Sequence, residues 1–218
     1  KINQMGKLID SLLAGSSGRV GRVVVANMFG NDILKHRPRR KQSAPSAKQL
    51  LIQERMKKSY NFIAPYKEFA KRYFGVRIGM KSPYNLAITN VLNAFKLDFT
   101  LLTITPAYSE IEFAKGQLLG AVPTGLTSTT SLTFTLVWFN NSGSVPVRET
   151  DQLQVLYMAE GEPKPVLMEN IAVRADATVD IPLPPNLQGK TVHVWMAFLD
   201  DDFTNVSLSS YAGNVLIT

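Results

Sequence analysis

The pattern of apolar and polar positions changes character along this chain of 218 residues. The opening segment, Lys1 to Ala14, spaces Ile2, Met5, Leu8, Ile9, Leu12 and Leu13 in a weakly helical way and runs into GSSGRVG, whose glycines predict a turn. Arg22 to Phe29 and Asp32 to Arg37 read as two extended runs around Gly30-Asn31, a pair suited to a tight turn, and so predict a β-hairpin. Arg37 to Pro45, with its prolines and basic residues, predicts an exposed, extended linker. Ser46 then opens the strongest helical pattern in the chain. Its hydroxyl can cap the helix while Gln49, three residues on, reaches back to complete a capping box. Leu50, Leu51, Met56, Phe62, Ile63, Tyr66, Phe69, Tyr73 and Phe74 supply the apolar face; Pro65 predicts a bend or restart near Ala64, and Gly75 the stop. Ser82-Pro83 predicts the start of a second helix whose Leu86, Ile88, Val91, Leu92 and Phe95 face the first, making a helical hairpin.

From about Leu97 the pattern turns to short runs rich in Thr, Val, Ile, Leu and aromatics, broken by turn residues. Ala107 to Phe113, Ser131 to Trp138, Gln152 to Met158, Ala177 to Ile181, Thr191 to Phe198 and Ser207 to Ile217 are the expected strands. Within Thr191 to Phe198, Val192, Val194, Met196 and Phe198 alternate with His193, Trp195 and Ala197, and one of the two faces is expected to be core. The fold class that follows is α+β: an N-terminal β-hairpin and helical hairpin, then an antiparallel β-sandwich of immunoglobulin or fibronectin type. The expected domains are 1–104, the basic arm, hairpin and helices, and 105–218, the sandwich.

Composition limits the chemistry. The chain has no cysteine, which removes disulfides, thiolate metal sites and a cysteine nucleophile. The longest uncharged stretch, between Lys115 and Arg148, is interrupted by Gly120, Pro123 and Gly125, so no membrane span is expected, and no secretory signal is expected in residues 1–25. A soluble protein is the resulting expectation, with its location left open and a particle or a surface among the options. His36 and His193 lie in different segments without metal-ligand spacing, and no G-x-S-x-G elbow is present. Asp200, Asp201, Asp202 and Asn205 offer oxygen ligands but not the spacing of a calcium loop, while Glu160 and Glu162 flank Gly161 as a loop tip. No catalytic residue, metal, cofactor or small-molecule substrate is expected.

Charge changes the picture more than composition does. Residues 1–100 carry 19 Lys/Arg against 5 Asp/Glu, a net of +14, whereas residues 101–218 carry 5 against 12, a net of −7. The basic constellation comprises Arg37, Arg39, Arg40 and Lys41 in the linker and Lys48, Arg55, Lys57, Lys58, Lys67, Lys71 and Arg72 along the helix. Such a set is either a solvated helix face with a basic linker or a surface for a polyanion or an acidic protein.

Several fragments together look familiar. In the first half they are LAGSSGRVGRVVV, Gly30, Arg37-Pro38, Pro45 and the Gln49 to Arg55 helix start; in the second, WFNNSG (Trp138 to Gly143), Thr150-Asp151, VHVWMAF and Tyr211-Ala212-Gly213. With these fragments the chain resembles an uncharacterised Bacteroidetes family known only as a domain of unknown function. The resemblance spans most of the chain and implies a shared architecture and a bacterial source, but no activity, cofactor or catalytic residue. Family members often have a tryptophan just before the hairpin glycine, where this chain has Met28-Phe29. The expectation is therefore a non-catalytic structural or interaction protein, forming a homo-oligomer or docking on an acidic protein partner as in a phage-like particle or surface assembly. Sequence-nonspecific nucleic-acid binding by the basic half is the alternative. Ile2, Met5, Leu8, Ile9, Leu12 and Leu13 form the expected assembly arm.

Overall fold

In the computed structural model, residues 5–10, 12–37, 44–143 and 145–218 are described, with the backbone alone at Met5. The chain divides into two compact units, Lys1–Pro45 and Ser46–Thr218.

The first unit is an antiparallel sheet of four strands: β1 (Met5–Lys7), β2 (Gly18–Val20), β3 (Val23–Met28) and β4 (Asn31–His36), in the order β1-β4-β3-β2. The weak helical spacing of the opening segment is overridden by this pairing. Met5, Gly6 and Lys7 lie opposite Lys35, Leu34 and Ile33, and the Leu8 N–H donates to the Asp32 carbonyl at 2.8 Å. A strand edge satisfies backbone donors that a short, glycine-flanked helix would have had to satisfy alone. The hairpin is present, but its turn lies one residue earlier than Gly30-Asn31. Met28 pairs with Asn31, leaving Phe29 (φ 55°) and Gly30 (φ 79°) as the central residues. Both have positive φ, as the right-handed twist of two-residue hairpins demands.

The second unit contains two hydrophobic cores separated by one sheet. Its helices are α1 (Ala47–Ile63), α2 (Lys67–Tyr73) and α3 (Pro83–Ala94), with the single turn α4 (Pro146–Glu149) further on. The Ser46 hydroxyl accepts from the Gln49 N–H at 3.3 Å, the Gln49 side chain accepts from the Ser46 N–H at 3.0 Å, and at the start of α3 the Ser82 hydroxyl accepts from the Asn85 N–H at 3.3 Å. Pro65 sits in a 3-10 turn, Ala64–Tyr66, which separates α1 from α2, and Gly75 at φ 67° ends the helical run.

The strands of this unit are β5 (Phe95–Asp98), β6 (Thr103–Pro106), β7 (Pro123–Thr127), β8 (Thr133–Trp138), β9 (Gln152–Ala159), β10 (Val166–Met168), β11 (Thr178–Pro182), β12 (Thr191–Leu199) and β13 (Ser210–Leu216). β5 and β6 form a separate hairpin. The remaining seven make two antiparallel sheets, β10-β9-β12-β13 and β11-β8-β7. This split of four strands against three, with crossovers between the sheets, is that of a fibronectin-like sandwich. Phe134, Leu136, Leu153, Val155, Val194 and Met196 fill the space between them.

Several expectations are changed by this packing. Ala107 to Phe113 is not a strand: it turns through a 3-10 segment, Tyr108–Glu110, and buries Ile111 and Phe113 among the helices. The first sandwich strand is β7, which its proline and glycine conceal; Pro123 stands at its start and the ladder is irregular between Pro123 and Gly125. Finally, β12 is core on both faces. The second core joins Leu156, Trp195 and Ala197 to Phe62, Ile63, Tyr66, Val91 and Phe95, so the helices cover what would be the outer face of the sheet. The expected boundary between residues 104 and 105 thus falls inside the second unit. Leu50 and Met56, expected on the buried helix face, are exposed, because the face that meets the sheet runs through Leu51, Ser59, Phe62 and Ile63.

Candidate functional site

The sandwich fragments that carried the family resemblance converge on buried structural centres. Arg174 and Asp151 have side chains 0 % and 2 % exposed and pair at 2.9 Å. The guanidinium also donates to the Leu119 carbonyl at 2.8 Å and to the Asn141 side chain, and stacks over the Phe198 ring at 3.9 Å. Trp138 Nε1 donates to the Arg174 carbonyl at 3.0 Å, and the Asn141 amide donates to the Gly120 carbonyl at 2.9 Å. WFNNSG and Thr150-Asp151 therefore serve to lock one arginine. Burial pushes the Asp151 carboxyl up and the Arg174 guanidinium down, and each partner's charge opposes the shift.

VHVWMAF and Tyr211-Ala212-Gly213 meet on the face of β12 that the helices cover. His193 stacks on Tyr108 at 3.8 Å between ring centroids, pairs through Nδ1 with the Tyr211 hydroxyl at 2.7 Å, and lies 3.3 Å through Nε2 from Glu160. Trp195 Nε1 donates to the Tyr108 carbonyl at 3.0 Å. Opposite them the β12–β13 register slips, pairing Val194 with Gly213 and Trp195 with Tyr211, and Gly213 adopts φ 125°. Burial holds the His193 pKa below its ordinary value, with Glu160 pulling the other way. A cluster so packed, with His193 itself buried, has the character of a core joint.

The carboxylate-rich turn is committed too. Asp200 accepts from the Thr204 and Asn205 N–H groups at 2.7 and 2.9 Å and from both their side chains. Burial alone would raise its pKa, but these donors outweigh burial and hold it low. Among the described residues no group of three or more His, Asp or Glu could hold a metal ion.

The basic residues are distributed between the units. On α1, Lys48 lies 6.0 Å over the Phe99 ring, half-buried Arg55 presents an Nε without a hydrogen-bond partner, and Lys57 is exposed. Lys58 pairs with Glu54 at 3.1 Å and Lys71 with Glu68 at 2.7 Å. At 100° per residue Lys48, Arg55 and Lys58 fall on one side of α1, where Lys58 is paired with Glu54, and Lys57 points nearly opposite. Lys67 sits 5.7 Å over the Tyr84 ring, and Arg72 lies in the last turn of α2. Arg37 is exposed at the end of β4; Arg39, Arg40 and Lys41 lie outside the described residues.

A different basic set emerges in the first unit. Arg19, Val24 and Lys35 stand directly opposite one another across β2, β3 and β4, and Lys7 lies opposite Ile33. Residues opposite in a ladder share a face, so Lys7, Arg19 and Lys35 lie on one side of the sheet, interleaved with Val24, Ala26 and Ile33. At the end of the ladder the Arg37 N–H donates to the Arg22 carbonyl at 2.8 Å, which adds two further arginines. The opposite face carries Val23, Val25 and Leu34, with Val25 buried. This surface was absent from the residues singled out in the sequence because register, not spacing, brings its cations together.

The charge totals sharpen the contrast. Residues 1–45 hold nine Lys/Arg against two Asp/Glu, a net of +7, and residues 46–218 hold fifteen against fifteen. The excess charge of the whole chain therefore resides in the first unit. In the arm, Leu8 is half-buried while Ile9, Leu12 and Leu13 are exposed; Ile2 lies outside the described residues and only the backbone of Met5 is described. The turn that follows is tied down by Asp32, whose carboxylate accepts from the Gly15 N–H at 2.6 Å and from the Asn27 amide at 2.8 Å. These donors, Gly15 first, hold Asp32 below the usual carboxylate range. No helix among the described residues is long and apolar enough to cross a membrane.

A family model described as "Family of unknown function (DUF6266)" matches residues 15–213. No curated protein matches. Among solved structures, the fn3 domain of human contactin 1 is similar over 45% of this chain and 81% of that domain, at 8% identity and a TM-score of 0.28.

Proposed function

For a chain that belongs to this family of unknown function, we propose a non-catalytic interaction role in which the sheet of residues 1–45 docks on an acidic protein surface. The observation that carries the reading is the net +7 of residues 1–45, with Lys7, Arg19 and Lys35 on one face of their sheet. Aliphatic side chains between the cations suit a protein surface, which offers both carboxylates and apolar contacts. The acidic partner that the chain itself supplies is the sandwich, since residues 101–218 carry −7. Docking the sheet of one copy on the sandwich of another is a heterologous contact, which closes into a ring or extends into a filament. Ile9, Leu12 and Leu13, exposed beside the same sheet, then gain cover at the contact.

Sedimentation velocity of the full chain at low and high salt tests this. Assembly at low salt, lost at high salt and in the double variant Arg19→Glu/Lys35→Glu, is the expected result. A monomer at every salt concentration and at high protein concentration overturns it. The same cations make nucleic acid the second reading, because neutralised phosphates release counterions whatever the base sequence. Retardation of DNA or RNA by a chain that does not self-associate would favour that reading.

A further inference from the structure

A trough of about 760 Å³ opens in the second unit between α3 and the loops at 115–117 and 204–206. Such a volume is typical of small-molecule sites, which combine an apolar floor with a few polar groups that fix orientation. One face of α3 forms a wall: Leu86, Asn90 and Asn93 recur at helical spacing, while Ala87, Val91 and Ala94 face the core. Phe74 and Val206 are buried at its floor. Val76 and Ile78 overhang it, 79 % and 65 % exposed, more than isolated surface aliphatics need be.

The trough is held open by backbone approach. The Gly75 N–H donates to the Lys115 carbonyl at 2.6 Å, and the Lys115 N–H donates to the Tyr73 carbonyl at 2.9 Å. A Cβ on Gly116 would stand 2.0 Å from the Val206 carbonyl oxygen, so only glycine permits this wall.

Its polar groups divide into committed and free. Asn90 is committed, donating to the Glu110 carbonyl and accepting from the Glu112 N–H. Lys115 faces Glu112 at 3.6 Å. Among the described residues the Arg72 side chain, exposed on the trough wall, makes no hydrogen bond or ion pair, so its guanidinium is available to bind. Arg72, Lys115 and Glu112 together give the lining a formal charge of +1.

We propose that this trough binds a small organic monoanion with an apolar body, its carboxylate or sulfonate on Arg72 and its body on Phe74, Leu86 and Val206. The net charge selects a single negative group, the floor and overhang select an apolar body, and the guanidinium fork selects a planar or multidentate oxyanion. The site lies wholly in the second unit and is independent of the docking reading.

Isothermal titration calorimetry of the full chain with decanoate tests the proposal, with 1-anilinonaphthalene-8-sulfonate fluorescence as a second readout. Saturable binding at one site is expected. Arg72→Ala should weaken it roughly tenfold or more, the worth of a charge-assisted hydrogen bond, and Asn93→Trp should block it by filling the trough. Circular dichroism of both variants checks that the fold is intact. Absence of saturable decanoate and anilinonaphthalene sulfonate binding at millimolar concentration overturns the site. So does binding that neither variant changes. Glucuronate, an anion of similar charge without the apolar body, should not compete; binding of glucuronate in place of decanoate overturns the assigned ligand class.

Discussion

Two side chains set the chemistry of the interior, and each has a measurable consequence. Arg174 is fully buried and its charge is answered by Asp151 alone, with Asn141 and the Leu119 carbonyl absorbing the other donors. Removing one member of a buried pair leaves the other uncompensated, so Asp151→Ala should destabilise by about 3–5 kcal/mol, read as a lower urea midpoint at unchanged m-value. His193 acts through protonation. The fold holds it neutral because burial depresses its pKa, whereas in the unfolded chain it titrates near the ordinary 6.5. The unfolded state therefore binds the extra proton first. The stability contributed by neutral His193 is fully present above pH 6.5 and is lost as pH falls from there toward the depressed folded value. Wild type should thus lose more melting temperature between pH 7.5 and 5 than His193→Gln does; equal losses in the two proteins would show that His193 is not the titrating group.

At the scale of elements, the hairpin of the first unit carries an unusual residue. Phe29 is the first central residue of a turn that requires positive φ, a conformation that costs a residue with a Cβ about 1–2 kcal/mol. Its ring is 64 % exposed, so no packing visible in the exposure offsets that cost. Phe29→Gly should accordingly stabilise the hairpin by about 1 kcal/mol and raise the hydrogen-exchange protection of β3 and β4 amides. Lower protection in the variant would mean that the aromatic ring contributes contacts outweighing the backbone strain. An aromatic kept at a strained, exposed tip fits a surface that meets a partner, and the Phe29→Gly chain, assayed for self-association beside the wild type, separates fold from contact.

Across the whole molecule, charge and core are allotted to different parts. The second unit owns both hydrophobic cores and has no net formal charge, while the first unit owns the net +7 and a small sheet. The full chain should therefore be retained on a cation exchanger at pH 7 and low salt, whereas residues 46–218 expressed alone should flow through with a cooperative melt. Retention of the shorter chain to the same salt concentration would place the effective basic surface on the α1 and α2 cations instead, and would move the docking surface with it.

The local elements were legible because local chemistry decides them. Ser46 with Gln49, Ser82 with Pro83, and the Pro65 break follow from capping and from a missing backbone donor, and alternation alone exposes β8, β9 and β12. The sandwich class followed from their number and spacing, and the sandwich half of the family resemblance from motifs that prove to be partners of Arg174 and His193. What required the tertiary structure was every feature made by two segments meeting. Both faces of β12 are core because helices from residues 47–94 cover one of them, a fact that alternation within Thr191 to Phe198 does not contain. Ala107 to Phe113 gave up its strand pattern to that same helical core. Lys7, Arg19 and Lys35 share a face only through strand register, which is set by hydrogen bonds between distant residues rather than by their spacing along the chain.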